Sequence, residues 1–268
     1  MPIVNSGGVD IDYEILNADS SATPVFFISG LGGGRESWPL QAEPFSKERP
    51  VVLHDHRGTG KSAKPPGVYS VPNMAGDVVA IMDDAGIPKA PLVGSSTGGA
   101  IIQIMCIDHP EKVQSAAITS SWPKSDAFFI RQFTMRKKIL LELGWDDYTR
   151  ISALSLHSPK FFTDNFSRIE DKENLMIKNA PPAEIMAERI DAIIAHDQID
   201  RLGQITAPTL VAVAQDDACT PPYYSDQLVS KIPGAELHVF EWGGHFVYLA
   251  NTEEFNRVIH AFIEKHDG

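Results

Sequence analysis

Gly94, Ser96 and Gly98 give a serine hydroxyl a glycine two positions to either side, within the stretch Leu92 to Ala100. An apolar run precedes that stretch and a helical pattern follows it, so it reads as a sharp strand-to-helix turn with Ser96 at the apex. A side chain held at a strained turn needs neighbours without Cβ atoms, because bulk there would strike the flanking strand and helix. The chemistry is nucleophilic attack by an activated hydroxyl. The plain alternative is a serine- and glycine-rich turn and nothing more.

A serine hydroxyl is a weak nucleophile at neutral pH and needs a base, itself oriented by a third group. Downstream, Gln215-Asp216-Asp217 offers an acid at either aspartate, just past the apolar run 208–214. His245 follows in Trp242-Gly243-Gly244-His245-Phe246, where two glycines leave an imidazole room to face a crevice. Upstream, Ser29-Gly30-Leu31-Gly32-Gly33-Gly34 closes the buried run Val25 to Ile28. A glycine-rich loop at such a strand end aims backbone N–H groups into a crevice, as an anion or oxyanion hole does. A dinucleotide fingerprint fails there, since Arg35 or Ser37 stands where the last glycine belongs. Gly60-Lys61-Ser62 fails as a P-loop because Asp55 takes the place of its first glycine. His54 and His56 lack companion ligands for a metal and read as structural, with Arg57 as an anchor for its loop.

These groups need elements to hold them. Val9 to Leu16 alternates as a half-exposed strand, the apolar runs at 25–28 and 50–53 read as buried strands, and 90–93 and 113–119 read as the next strands of a parallel sheet. Helical patterns at 38–45, 71–86 and 100–109 separate them, which implies a mostly parallel sheet with helices on both faces. Ligands of such sheets bind beyond the C-terminal strand ends, where the 29–34 loop, the Asp55 loop and Ser96 would meet. From 121 to 204 the alternation stops and the pattern is helical, which predicts a cap inserted over the strand ends. The expected division is a core of 1–120 and 205–268 with a cap of 121–204. Arg131, Arg136, Lys137 and His157 are cap residues able to reach substrate, and His196 reads as part of a hinge where the chain returns to the sheet.

At 268 residues with a formal net charge of −12, the chain suits one catalytic unit and disfavours a nucleic-acid partner; an anionic substrate would need a local basic pocket. Cys106 and Cys219, far apart, suggest neither a disulfide nor a zinc site, and Cys106 fits a buried apolar helix position. No secretory leader or membrane span is read, so a cytoplasmic location is expected.

The ordered set of oxyanion loop, Asp55-to-Ser62 loop, Gly94-to-Gly98 elbow, acid loop and Gly243-Gly244-His245 loop resembles the α/β-hydrolase superfamily over nearly the whole chain. In that family the acid usually opens a D-x-x-x-P turn, which aligns Asp217 with Pro221 and selects Asp217 over Asp216. The resemblance implies Ser96 as nucleophile, His245 as base, Asp217 as its orienting acid, and Leu31 and Thr97 as backbone oxyanion donors. It implies Trp122 and Phe246 as substrate-binding positions. Two departures are Ser29 where the family often has His, and Ser95 where His is common before the nucleophile. The style is closest to aminoacrylate or carbamate hydrolases and 3-oxoadipate enol-lactonases. The expected activity is cleavage of an ester, lactone or amide/carbamate-like bond of a small molecule, with no cofactor and no metal, by a monomer or homodimer. C–C bond hydrolysis, cofactor-free perhydrolysis or ligand reception on the same fold are the alternatives.

Overall fold

The computed structural model describes residues 2–267. Strands β1 (Ile3–Ser6) and β2 (Val9–Leu16) form a hairpin, followed by β3 (Val25–Ile28), helix α1 (Pro39–Phe45) and β4 (Val51–His54). Then come α2 (Val71–Asp84), β5 (Ala90–Ser95), α3 (Thr97–Asp108) and β6 (Val113–Thr119). Helices α4 (Ala127–Leu143), α5 (Trp145–Leu156), α6 (Pro159–Asp164), α7 (Phe166–Lys178) and α8 (Ala183–Ile194) interrupt the alternation. It resumes with β7 (Thr209–Ala214), α9 (Tyr223–Lys231), β8 (Glu236–Phe240), α10 (Val247–Ala250) and α11 (Thr252–Lys265).

The strands make one eight-stranded sheet in the order β1-β2-β4-β3-β5-β6-β7-β8. Only the β1–β2 and β2–β4 pairings are antiparallel; the rest are parallel. The fully buried patterns of β3, β4, β5 and β7 reflect helices packed on both faces, one layer around Met74, Ile101 and Tyr224 and the other around Trp38, Phe255 and Phe262. The hairpin strand β1 is absent from the apolar pattern because three of its four residues keep solvent contact at the sheet edge.

Helices α4–α8 lie between β6 and β7, so the insertion leaves the sheet at one strand end and returns at the next. Its two ends are tied together: Lys124 and Asp197 form an antiparallel bridge, and Gln198 N–H donates to Pro123 O at 2.8 Å. Asp126 caps α4 by accepting from Phe129 N–H at 3.0 Å and also accepts the hydroxyls of Tyr223 and Tyr224 on α9. One carboxylate thus fastens the first insertion helix to the core.

Candidate active site

Ser96 has φ 56° and ψ −116°, outside the regions that side-chain-bearing residues favour, between the last residue of β5 and the first of α3. The glycines make this turn possible by proximity. A Cβ at Gly94 would stand 2.5 Å from the Gly98 carbonyl carbon, and one at Gly98 would stand 2.0 Å from Ile28 O. Both lie far inside van der Waals contact, so strand, turn and helix pack backbone to backbone. Ser95 is the end of β5 itself, whereas Ser96 occupies the turn.

The loop after β3 folds over the serine. A Cβ at Gly30 would lie 3.2 Å from Ser96 Cβ and 3.7 Å from its Oγ, which brings the Gly30-Leu31 backbone alongside the hydroxyl. Thr97 is buried and starts α3, where the first N–H groups of a helix have no intrahelical acceptor. The loop is held from below by His56, whose Nε2 lies 2.9 Å from Ser29 O. The loop after β4 is fixed by Arg57, whose Nε and Nη2 form a fork on Asp77 at 2.8 and 2.6 Å.

The two aspartates after β7 have separate partners. Asp217 Oδ2 lies 3.0 Å from His245 Nδ1, and its Oδ1 accepts the N–H groups of Cys219 and Thr220 at 2.9 Å each. Asp216 is exposed and accepts Gly244 N–H at 2.8 Å, which holds the loop bearing His245. Gly244 has φ +65°, and a Cβ there would come within 2.6 Å of Ser158 N, so this loop turns tightly beneath the insertion.

His245 and Asp217 are buried, at 2% and 3% exposure, and Ser96 is at 7%. Burial alone pulls the His245 pKa down, but the charges of Asp217 and Cys219 and the hydrogen bonds to them outweigh it and raise the pKa to about 10. The Cys219 thiol is pushed up by burial and pulled down further by His245 and Arg136, for a net lowering. Arg136 Nη1 lies 3.9 Å from Cys219 Sγ.

Other positions singled out in the sequence fall nearby with different partners. Phe246 packs edge-on to His157 at 5.3 Å, and Trp122 is fully buried, stacked on Phe129 at 4.4 Å. His196 is buried against Trp122 with Nε2 3.3 Å from Gln103 Oε1, in the neck of the insertion. Arg131 is exposed and Lys137 pairs with Asp191 at 2.6 Å. A surface groove lined by Ser158, Phe161, Asp216 and Trp242 lies outside the Ser96–His245 centre. Cys219 and Thr220 were missed as neighbours of His245, although they stand two and three residues past the acid; Thr220 Oγ1 lies 3.1 Å from His245 Nδ1.

The family model described as alpha/beta hydrolase fold matches residues 23–252. A protein of Azorhizobium caulinodans named "Putative carbamate hydrolase RutD" is 36% identical, with 98% of each chain covered. Among solved structures, Est816, described as an N-acyl homoserine lactone degrading enzyme, aligns at TM-score 0.86 and 28% identity over 97% of this chain and 100% of its own. The enol-lactonase of Burkholderia xenovorans aligns at TM-score 0.91 over 98% and 100%, and its 20% identity speaks to the fold alone.

Proposed function

The chain belongs to the alpha/beta hydrolase fold family, and from that premise we propose that it is a serine hydrolase cleaving an ester, lactone or carbamate-like bond of a small molecule through an acyl-enzyme. The observation that carries this reading is the buried Asp217–His245 pair at 3.0 Å, with Ser96 on its strained turn under the same insertion. The carbamate and lactone relatives support the bond class.

The mechanism follows from the groups present. His245 takes the Ser96 proton as Oγ attacks the acyl carbon, and Asp217 holds the Nδ1–H tautomer and stabilises the imidazolium. Leu31 and Thr97 N–H groups receive the negative charge on the former carbonyl oxygen; losing one such donor costs about 2.7–4 kcal/mol of barrier. The imidazolium then returns its proton to the leaving group. Water, deprotonated by His245, attacks the acyl-enzyme and regenerates Ser96. Trp122 and Phe246 contribute the aromatic walls around the acyl group.

Turnover of a panel of small esters, lactones, amides and carbamates tests the reading. Hydrolysis of at least one class, lost in Ser96→Ala with the fold intact, is expected. Unchanged turnover in Ser96→Ala would overturn it.

A further inference from the structure

Arg189 is charged yet occupies the apolar face of α8, in line with Met186, Ile190 and Ile193, and is fully buried. Its Nη1 donates to Arg57 O at 3.2 Å, while Nε and Nη2 have no hydrogen-bond partner among the described residues. Those two atoms are the side-on fork of a guanidinium, the same fork with which Arg57 grips Asp77. The Tyr69 hydroxyl is likewise buried without a partner. It lies against the same peptide as Arg189, since a Cβ on Gly58 would meet the Tyr69 hydroxyl oxygen at 3.1 Å.

The helix that carries Arg189 touches the loop over Ser96. Met186, one turn before Arg189, places its methyl 3.0 Å from a Cβ built on Gly32 of the loop over Ser96. Strand β3 separates β4, which leads into Arg57-Gly58, from β5, which leads into Ser96, a lateral distance of about 10 Å. Leaving such donors unmade is costly, and a carboxylate satisfies both arms of the fork together.

We propose that Arg189 and Tyr69 form a carboxylate subsite, so that the preferred substrate carries a free carboxylate several bonds from the acyl carbon that Ser96 attacks. This rests on the hydrolase reading and adds the substrate class. The overall charge of −12 repels anions, and a buried cation at one end of the site provides the local attraction that an anionic substrate requires. Arg189 acts on specificity and touches no reacting atom.

The test compares kcat/KM for 4-nitrophenyl hemiglutarate and 4-nitrophenyl pentanoate, which differ in the terminal carboxylate. The native protein is expected to favour the hemiglutarate by about 10- to 100-fold. Arg189→Gln is expected to abolish that preference while keeping turnover of the pentanoate, and Tyr69→Phe to reduce it several-fold. A native ratio near one, or equal losses on both esters in R189Q, would overturn the subsite. If R189Q does not fold, an unchanged ratio in Y69F overturns it. A second arm needs no turnover: glutarate is expected to raise the Tm of Ser96→Ala but not of the Ser96→Ala/Arg189→Gln double variant. That shift without hydrolysis of either ester keeps the subsite and defeats the hydrolase reading; its absence, with the pentanoate hydrolysed and no preference, does the reverse.

Discussion

His245 Nδ1 lies 3.0 Å from Asp217 Oδ2, with both groups sealed from solvent. On the proposed mechanism the contact leaves the other imidazole nitrogen for Ser96 and supplies charge where water cannot. Asp217→Asn keeps the shape, yet its amide presents N–H to Nδ1 and favours the wrong tautomer. It is expected to lower kcat about 10⁴-fold with little change in KM, measured by steady-state kinetics on the best ester. A loss below about tenfold would mean that Asp217 does not orient the base.

Cys219 hydrogen-bonds His245, and its negative charge favours the imidazolium. On the proposed mechanism His245 must be neutral to accept the Ser96 proton, so kcat/KM should rise with pH on a limb alkaline of the ordinary histidine range. Cys219→Ala removes one of the two groups that raise the pKa, so the limb is expected to move to lower pH and activity at neutral pH to increase relative to pH 9. Coincident pH profiles for the two proteins would contradict this.

Two glycines on helices should respond in opposite directions. Gly98→Ala forces a Cβ to 2.0 Å from Ile28 O, and neither strand nor helix can retreat; a loss of about 1–3 kcal/mol or more is expected together with collapse of activity. Gly76 lies inside α2 with nothing within 4 Å of a new Cβ. Gly76→Ala should stabilise by about 0.5–1 kcal/mol through helix propensity and leave kinetics alone. Thermal melts with initial-rate assays check both.

Acid should destabilise the fold through its buried histidines. His54, His157 and His196 have pKa values lowered to about 4, first by burial, and His56 is lowered as well, again first by burial. In the unfolded chain these groups take up protons near pH 6.5. Between pH 6.5 and 4 the unfolded state therefore binds more protons, so stability is complete above 6.5 and lost as the pH falls through about 4. His245 runs the other way, its contribution present below 6.5 and lost as the pH rises through about 10. Tm measured from pH 8 to 4 is expected to fall most steeply in the acid half; a flat profile would contradict it.

The sheet and elbow were readable because each imposes a demand that few residue types meet. Continuous apolar runs mark strands covered on both faces, and Gly94 and Gly98 stand where backbones touch. Asp217 emerged from the family's turn pattern; in the structure Asp216 accepts the Gly244 N–H while Asp217 faces the His245 ring. Strand β1 was not readable, since an edge strand with one buried residue has no apolar signature. Arg189 was passed over because a charge inside an apolar periodicity looks like an interruption, when its position on the buried face was itself the signal. Cys219 was hidden by its type: a lone thiol reads as a small hydrophobe until a histidine 26 residues later folds back onto it.

The most direct measurement is the site of covalent labelling by a fluorophosphonate, read by peptide mass spectrometry. One adduct on the peptide containing Ser96 is expected, assigned to Ser96 by fragmentation, absent in Ser96→Ala and strongly slowed in His245→Ala. An adduct on Ser95, or labelling that persists in folded Ser96→Ala, would contradict Ser96 as the nucleophile and with it the mechanism built on His245 and Asp217.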